Sequence, residues 1–461
     1  MRRAIILLAL AGAAAAPAAA RAGQIVWVSA PANGSPSTLW AANDDGTFPH
    51  KLLSSTAAPL STAVPSGVIG APDLFQRSGT TVAFTDSLNG VGSQSFTLAS
   101  GTLSSDAPQG TGAAFESQPR FTANGQLVEQ YVLYPLATSS TLGTPSANAL
   151  FARPLGNAHV GTPWGDTATE PLAQRADPAP DPADPSQLAW VQIEDPSCTQ
   201  FTVHGSAVCQ YEVHVGSATT TTAPPVAIYD DETPFGSGPS SLAWSSDGRN
   251  LLIVDDEPPN DGIYEVAATT SVPAATKKVT ELIAEQPGWT FGQARFVGSK
   301  VVFDAHGAGH STPNTSDIYE ISSKCDSGTC SFPASAANLT HNAAANNISP
   351  ASTSAAAPLI PYGATPGGPA VLDAAAIRAR TVKASRGATF EVTLSAAGPL
   401  VVSISRNGHT IGTTTLHLQA GASTFTIKTS GRHALTAGHD VAKLRVGSST
   451  RVRWSTSFTV H

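Results

Sequence analysis

The chain has 461 residues, of which only 13% are charged, and its formal net charge is −8. Soluble proteins carry roughly 25% charged residues, so this surface is sparsely ionic, and its net acidity argues against a nucleic-acid partner. Gly 40 and Pro 35 imply many turns and few long helices.

Met1-Arg2-Arg3 is a short basic start, Ala4 to Ala20 is uncharged and apolar, and Ala20-Arg21-Ala22 is an A-x-A cleavage pattern. Together they predict a secretory signal peptide over residues 1–22. The strongly apolar run from Ile5 to Leu10 is too short for a transmembrane anchor, and no cysteine precedes Cys198 to carry a lipid. The expected product is secreted or extracytoplasmic, without a transmembrane segment, and begins near Gly23.

From Gln24 onward, short β-branched and aromatic runs recur between Gly, Pro, Asp and Ser. They begin at Gln24, Thr80, Leu127, Leu188, Asn250 and Lys300, spaced by 56, 47, 61, 62 and 50 residues. Such runs read as strands, and a quasi-period of this size with several strands per unit predicts propeller blades, here six. The fullest unit is Ser241-Leu-Ala-Trp-Ser-Ser-Asp-Gly-Arg-Asn-Leu-Leu-Ile-Val-Asp, followed by Asp261-Gly-Ile-Tyr-Glu-Val. Asp-Gly suits a tight turn because glycine accepts positive φ and Asp bonds the following backbone. This unit resembles the repeat of TolB-like (WD-repeat-like) propellers, in which a W-S-x-D-G turn precedes an inner strand and an "I-Y" strand follows. Ser37-Thr-Leu-Trp, Ser316-Asp-Ile-Tyr and Ala337-Asn-Leu-Thr carry fragments of it, and Phe75-Gln-Arg-Ser-Gly and Phe121-Thr-Ala-Asn-Gly are degenerate turns. The resemblance implies a fold for residues 23–362. It implies no function, because the repeat residues are structural.

The cysteines fall in two local pairs, Cys198 with Cys209 and Cys325 with Cys330. In an oxidising compartment two local disulfides are expected. The chain enters at Gln24 in mid-repeat, and Asn347-Ile-Ser-Pro-Ala-Ser-Thr-Ser supplies a missing first half. Pairing the two in one blade would close the ring and remove its open edges.

Residues 363–370 have linker composition. Beyond them, residues 371–461 alternate apolar and polar residues in six runs, with a hairpin turn at Arg406-Asn-Gly-His. This predicts a small Ig-like or fibronectin-like sandwich. The expected fold is therefore all-β: a six-bladed β-propeller followed by a small antiparallel β-sandwich. Charge divides the two parts. Residues 24–373 hold 11 Lys/Arg against 31 Asp/Glu, a net of −20, and residues 374–461 hold 11 against 2, a net of +9. The cations include Arg378, Arg380, Lys383, Arg386, Arg445, Arg451 and Arg453. They read either as ordinary solvated surface or as an attachment face for an anionic envelope polymer.

G-x-S-x-G, H-E-x-x-H, Walker A and G-x-G-x-x-G are absent, so no hydrolase, zincin or nucleotide motif marks a site. Three acidic clusters, Asp44-Asp45, Asp230-Asp231-Glu232 and Asp255-Asp256-Glu257 with Asp261, could hold Ca²⁺ but lack EF-hand spacing and read first as solvated turns. Asp304, His306 and His310 form the only dense imidazole–carboxylate cluster. Trp164, Trp190, Trp244 and Trp289 could line a sugar-binding channel or pack the core. No catalytic, cofactor or metal residue is assigned. The reading is a secreted, non-enzymatic binding or scaffold protein with a protein or glycan ligand at the propeller mouth. The alternative is a propeller enzyme, a lactonase-like hydrolase or a lyase, with a metal in the central channel.

Overall fold

A computed structural model describes residues 23–31, 36–47, 49–55, 68–76, 79–88, 92–105, 113–134, 147–153, 162–163, 174–193, 201–203, 206–217, 226–233, 238–255, 262–268, 279–284, 286–307, 315–325, 330–342, 345–353, 359, 362, 372–394, 398–418, 421–427, 435, 437–447 and 452–461. The predicted signal peptide lies outside them. The described residues are all β, with no helix long and apolar enough to cross a membrane.

Six antiparallel sheets precede residue 354. Five of them begin with the strands Val68–Leu74, Ala113–Phe121, Gln174–Pro180, Pro239–Trp244 and Thr290–Val297, taken here as blades two to six. Blade one begins with Ala345–Thr353, which pairs antiparallel with Gln24–Pro31, the start of the described chain. These six first strands pack each against the next in a closed ring. The arrangement is a β-propeller closed by a strand from far along the sequence. Leu359 N–H donates to Gln24 Oε1 and Tyr362 N–H to the Leu52 carbonyl, so the segment after the closing strand is tied to blade one as well.

The recurrent apolar runs are the second strands of the blades, one step out from the axis, not the inner strands that the repeat implied. Asn250–Asp255 and Lys300–His306 are buried almost throughout, because each blade is covered on both faces by its neighbours, and a strand buried on both faces loses its alternation. Every seam between blades holds an apolar cluster. Val26, Leu39 and Phe84 join blades one and two, Phe121 and Ala83 join two and three, and Leu188 and Val128 join three and four. Val213 and Trp244 join four and five, Ile263 and Phe303 join five and six, and Val302 and Ile25 return to blade one.

The first strands are irregular. Each carries a register shift against its second strand, at Gly70/Asp73, Ser117/Arg120, Ala176/Ala179, Pro239/Ser241, Phe291/Ala294 and, in blade one, opposite Val26/Val28. A β-bulge leaves one residue unpaired and re-aims its neighbours, and Gln118, Asp177 and Ser349 adopt positive φ there.

The W-S-S-D-G segment forms the predicted turn. Ser245 N–H donates to the Asn250 carbonyl, Gly248 N–H to the Ser245 carbonyl, and the Ser245 hydroxyl to Asp247 Oδ1. Gly248 has φ +69°, and a Cβ there would meet the Asp181 carboxylate of the preceding blade at 2.6 Å. Glycine is required both for conformation and for blade contact.

Cys325 and Cys330 are joined, with Cα atoms 5.3 Å apart. Trp289 packs beside them against Phe332 and Tyr319. Cys198 lies outside the described residues, as does the Cys209 side chain. Beyond residue 371, a three-stranded and a five-stranded sheet face each other over Phe390, Val402, Leu444 and Phe458. Asn407 and Gly408 both take positive φ, as a two-residue type I′ hairpin demands.

Candidate functional site

The turn hydrogen bonds give a common register for the blades. Phe75 N–H donates to the Thr81 carbonyl, Thr122 to Gln126, Asp181 to Gln187 and Ser245 to Asn250. The residue two positions before each donor is Asp73, Arg120, Ala179 or Ala243, which pair with Ala83, Val128, Ala189 and Leu252 of the second strands. In blades six and one the same level is held by Arg295, opposite Val302, and Ser352, opposite Ile25. All six residues line one axial cavity of about 80 Å³. Gln76, Pro182, Ser246 and Gly298, from the turns, form its outer wall.

The ring is charged and densely hydrogen-bonded. Arg120 and Arg295 are buried, and Asp73 is half-buried. Arg295 Nη1 donates to Ser241 Oγ (3.0 Å) and to the Leu242 (3.2 Å) and Ala294 (2.8 Å) carbonyls. Its Nη2 reaches Gln293 Oε1 at 3.2 Å, which also accepts from Arg120 Nη2 at 3.5 Å. Asp73 Oδ2 accepts Phe121 N–H at 2.8 Å, and the Ser352 hydroxyl donates to the Phe296 carbonyl at 2.7 Å. Burial raises the Asp73 pKa against the pull of the two guanidiniums. Burial, then the neighbouring Arg120 charge, lowers Arg295 to about 9, so it remains a cation at neutral pH.

Beside this ring, buried Asp304 accepts the backbone N–H of Gln293 (2.9 Å) and of Ser349 (3.0 Å) on Oδ1. It thereby joins the first strand of blade six to the closing strand. A Cβ on Gly292 would overlap its carboxylate. Burial pushes its pKa up to about 7, against those two N–H donors and Arg295.

The other candidates have structural partners. His306 bonds the Thr315 carbonyl through Nδ1, whereas Asp304 accepts the Gln293 and Ser349 N–H groups; His310 lies outside the described residues. Asp44 accepts Gly23 N–H, and Asp45 accepts Thr47 N–H. Asp255 is fully buried and accepts the Tyr229 hydroxyl at 2.8 Å. Asp256, Glu257 and Asp261, and the side chains of Asp230, Asp231 and Glu232, lie outside the described residues. Trp190 and Trp289 are core residues, Trp164 lies outside the described residues, and Trp244 alone of the three described lines the cavity, its Nε1 donating to the Ala179 carbonyl.

Among the described residues, no group of three or more His, Cys, Asp or Glu could hold a metal. A divalent cation at the axial ring would lie beside two guanidiniums and find one lining carboxylate, Asp73, whose Oδ2 already accepts the Phe121 N–H. Arg120, Arg295, Asp73 and Ser352 were not singled out from the sequence. The signal was a polar residue directly before the apolar or aromatic residue of the repeat, as in Arg120-Phe121 and Arg295-Phe296.

No protein-family model matches the chain, and no curated protein matches it. Among solved structures it is similar to TolB from Acinetobacter baumannii, at 14% identity over 72% of this chain and 66% of that one, with a TM-score of 0.44. It is also similar to a puromycin-hydrolyzing peptidase from Mycobacterium tuberculosis, at 13% identity over 68% of this chain and 51% of that one, with a TM-score of 0.39. PorZ, a bacterial surface component of the type-IX secretion system of Porphyromonas gingivalis, shares 11% identity over 92% of this chain and 64% of that one, with a TM-score of 0.29. The chain thus spans less than two-thirds of each of these proteins. The propeller assignment itself rests on the ring of sheets described above.

Proposed function

We propose that this chain is an extracytoplasmic, non-enzymatic recognition protein that binds a protein or glycan ligand at the turn end of the propeller channel. What carries the reading is the state of the cavity's polar groups. Asp73, Ser352 and Arg295 are each committed to backbone atoms of the propeller, and among the described lining residues no hydroxyl faces a histidine that could activate it. A surface held in one geometry binds with little ordering cost, whereas nucleophilic chemistry needs a nucleophile within reach of a base. The +9 sandwich would hold the propeller near an anionic envelope polymer.

The test places a photo-crosslinking side chain at Ser246, on the cavity wall, or at Lys51, exposed on the outer strand of blade one. Each protein is irradiated with an extracytoplasmic fraction of the source cell. Discrete adducts from position 246 and none from position 51 are expected. Equal labelling at both positions, or labelling at 51 alone, overturns the channel mouth as the recognition site.

A further inference from the structure

The five-stranded sheet of the sandwich has a second face, turned away from the core. Val402, Ile404, Ala442, Leu444 and Phe458 point into the core, so the residues that alternate with them point out. Register sets the outward residues in rows. Ser455, Lys443, Ser403 and Thr413 lie side by side on four successive strands, and Ser457, Val441, Ser405 and Thr410 form the next row. Arg445 stands two residues along from Lys443 on the strand Gly438–Val446, and Arg453 adjoins it, its N–H donating to the Leu444 carbonyl. Ser455, Ser457, Thr413, Lys443 and Arg453 are exposed. The two acids of residues 374–461 pair with Arg378 and Arg406, so no acid of this module is left to meet the three outward cations.

We propose that this face holds a carboxylated polysaccharide, with its carboxylates on Lys443, Arg445 and Arg453 and its sugar hydroxyls on the serine and threonine rows. This rests on the attachment role given to the sandwich above and adds the face and the chemical class of the polymer. Three features converge on it. The first is charge: Lys443 and Arg445 stand about 7 Å apart along one strand, and the arginine fork matches a carboxylate in two parallel bonds. The second is the hydroxyl array. A serine or threonine hydroxyl both donates and accepts, as a sugar hydroxyl does, whereas a phosphate polymer offers acceptors only. Ser403 and Thr413 hold each other's hydroxyls at 3.3 Å, which positions them and leaves each with bonding capacity for a ligand. The third is spacing. Neighbouring strands lie about 4.8 Å apart, close to the advance per ring of an extended sugar chain, so a glycan laid across the strands meets one strand per sugar.

Biolayer interferometry of residues 23–461 tests this on immobilised polygalacturonate, its fully methyl-esterified form and linear polyphosphate, at about 20 mM salt. Polygalacturonate is expected to bind, the neutral ester to bind about tenfold or more weakly, and polyphosphate to bind less tightly than polygalacturonate. Lys443→Glu with Arg445→Glu should weaken polygalacturonate about tenfold or more while melting like the parent. Lys51→Glu with Lys324→Glu changes net charge equally at exposed propeller positions and should keep most of the binding. Ser455→Ala with Ser457→Ala leaves charge unchanged and should weaken polygalacturonate about fivefold, with polyphosphate unaffected. Equal binding of acid and ester, or equal loss in the two charge variants, overturns this face as the polyanion site. Polyphosphate bound as tightly as polygalacturonate, with the serine variant neutral, overturns the glycan class and leaves the attachment role standing. Binding of neither polyanion overturns both.

Discussion

At the scale of single residues, Asp304 couples blade six to the closing strand beside the axis. One carboxyl oxygen accepts N–H groups from both the last blade and the closing strand, and burial holds its pKa near 7 against an ordinary 3.8. The folded protein therefore keeps a proton that the unfolded chain releases. That contribution to stability is complete below the unfolded pKa and is lost as pH rises through 7, at about 1.4 kcal/mol per pH unit inside the window. Melting temperature should fall between pH 4 and 7.5. Asp304→Asn, neutral throughout, should flatten part of that slope, leaving the share of Asp73 and Asp181, whose burial shifts them the same way. Thermal melts of both proteins across this range check it, and parallel slopes would show that Asp304 is ionised in the fold.

At the scale of elements, the closing strand decides whether six sheets make one body. Ala345–Thr353 fills the axial edge of blade one, and Leu359 and Tyr362 extend the tie. Deleting residues 346–362 should abolish the cooperative melt of the propeller, because it exposes a strand edge and opens two seams at once. Deleting residues 371–461 should leave that melt in place, since the Phe390–Phe458 core belongs to the sandwich alone. Calorimetry of the two truncations separates these outcomes. The second strands were legible because burial on both faces makes them continuous apolar runs. The first strands were not, because bulges and prolines at Pro72, Pro119, Pro178 and Pro350 break any period. The axial cavity was still harder to foresee. Its floor takes one residue from each of six segments scattered over 280 positions, from Asp73 to Ser352, and no local spacing records that convergence. The Asp-Gly and Asn-Gly turns were legible because positive φ at fixed places leaves a residue-type signature.

At the scale of the whole molecule, charge is divided between an acidic propeller and a basic sandwich. Both acids of residues 374–461 are already paired, Glu391 with Arg378 and Asp440 with Arg406. Arg378 is thereby removed from the candidate polymer contacts. Arg380, Lys383 and Arg386 are exposed beside the end of the Trp454–Val460 strand, and Lys443, Arg445 and Arg453 lie toward its start. Two basic groups at opposite ends of one sheet suit an extended polyanion better than a compact ion. Retention of the isolated sandwich on cell-wall polyanion should exceed that of the full chain and should collapse as salt shortens the Debye length from about 8 Å to about 3 Å. Retention that survives molar salt, or failure to bind at low salt, would assign the module to a spacer or docking role.

The pairing of Gln24–Pro31 with Ala345–Thr353 also sets a clock. The first blade cannot be completed until more than 300 further residues have emerged, and contacts so distant in sequence are slow to form. A chain emerging from its N-terminus would thus remain an unsealed arc for most of its synthesis. Blades two to six could assemble in order behind the leading edge, while the waiting strand stays open to any β-prone neighbour. Chaperones that shield exposed strand edges should therefore act on this protein mainly before residue 353 arrives and have little to hold afterward.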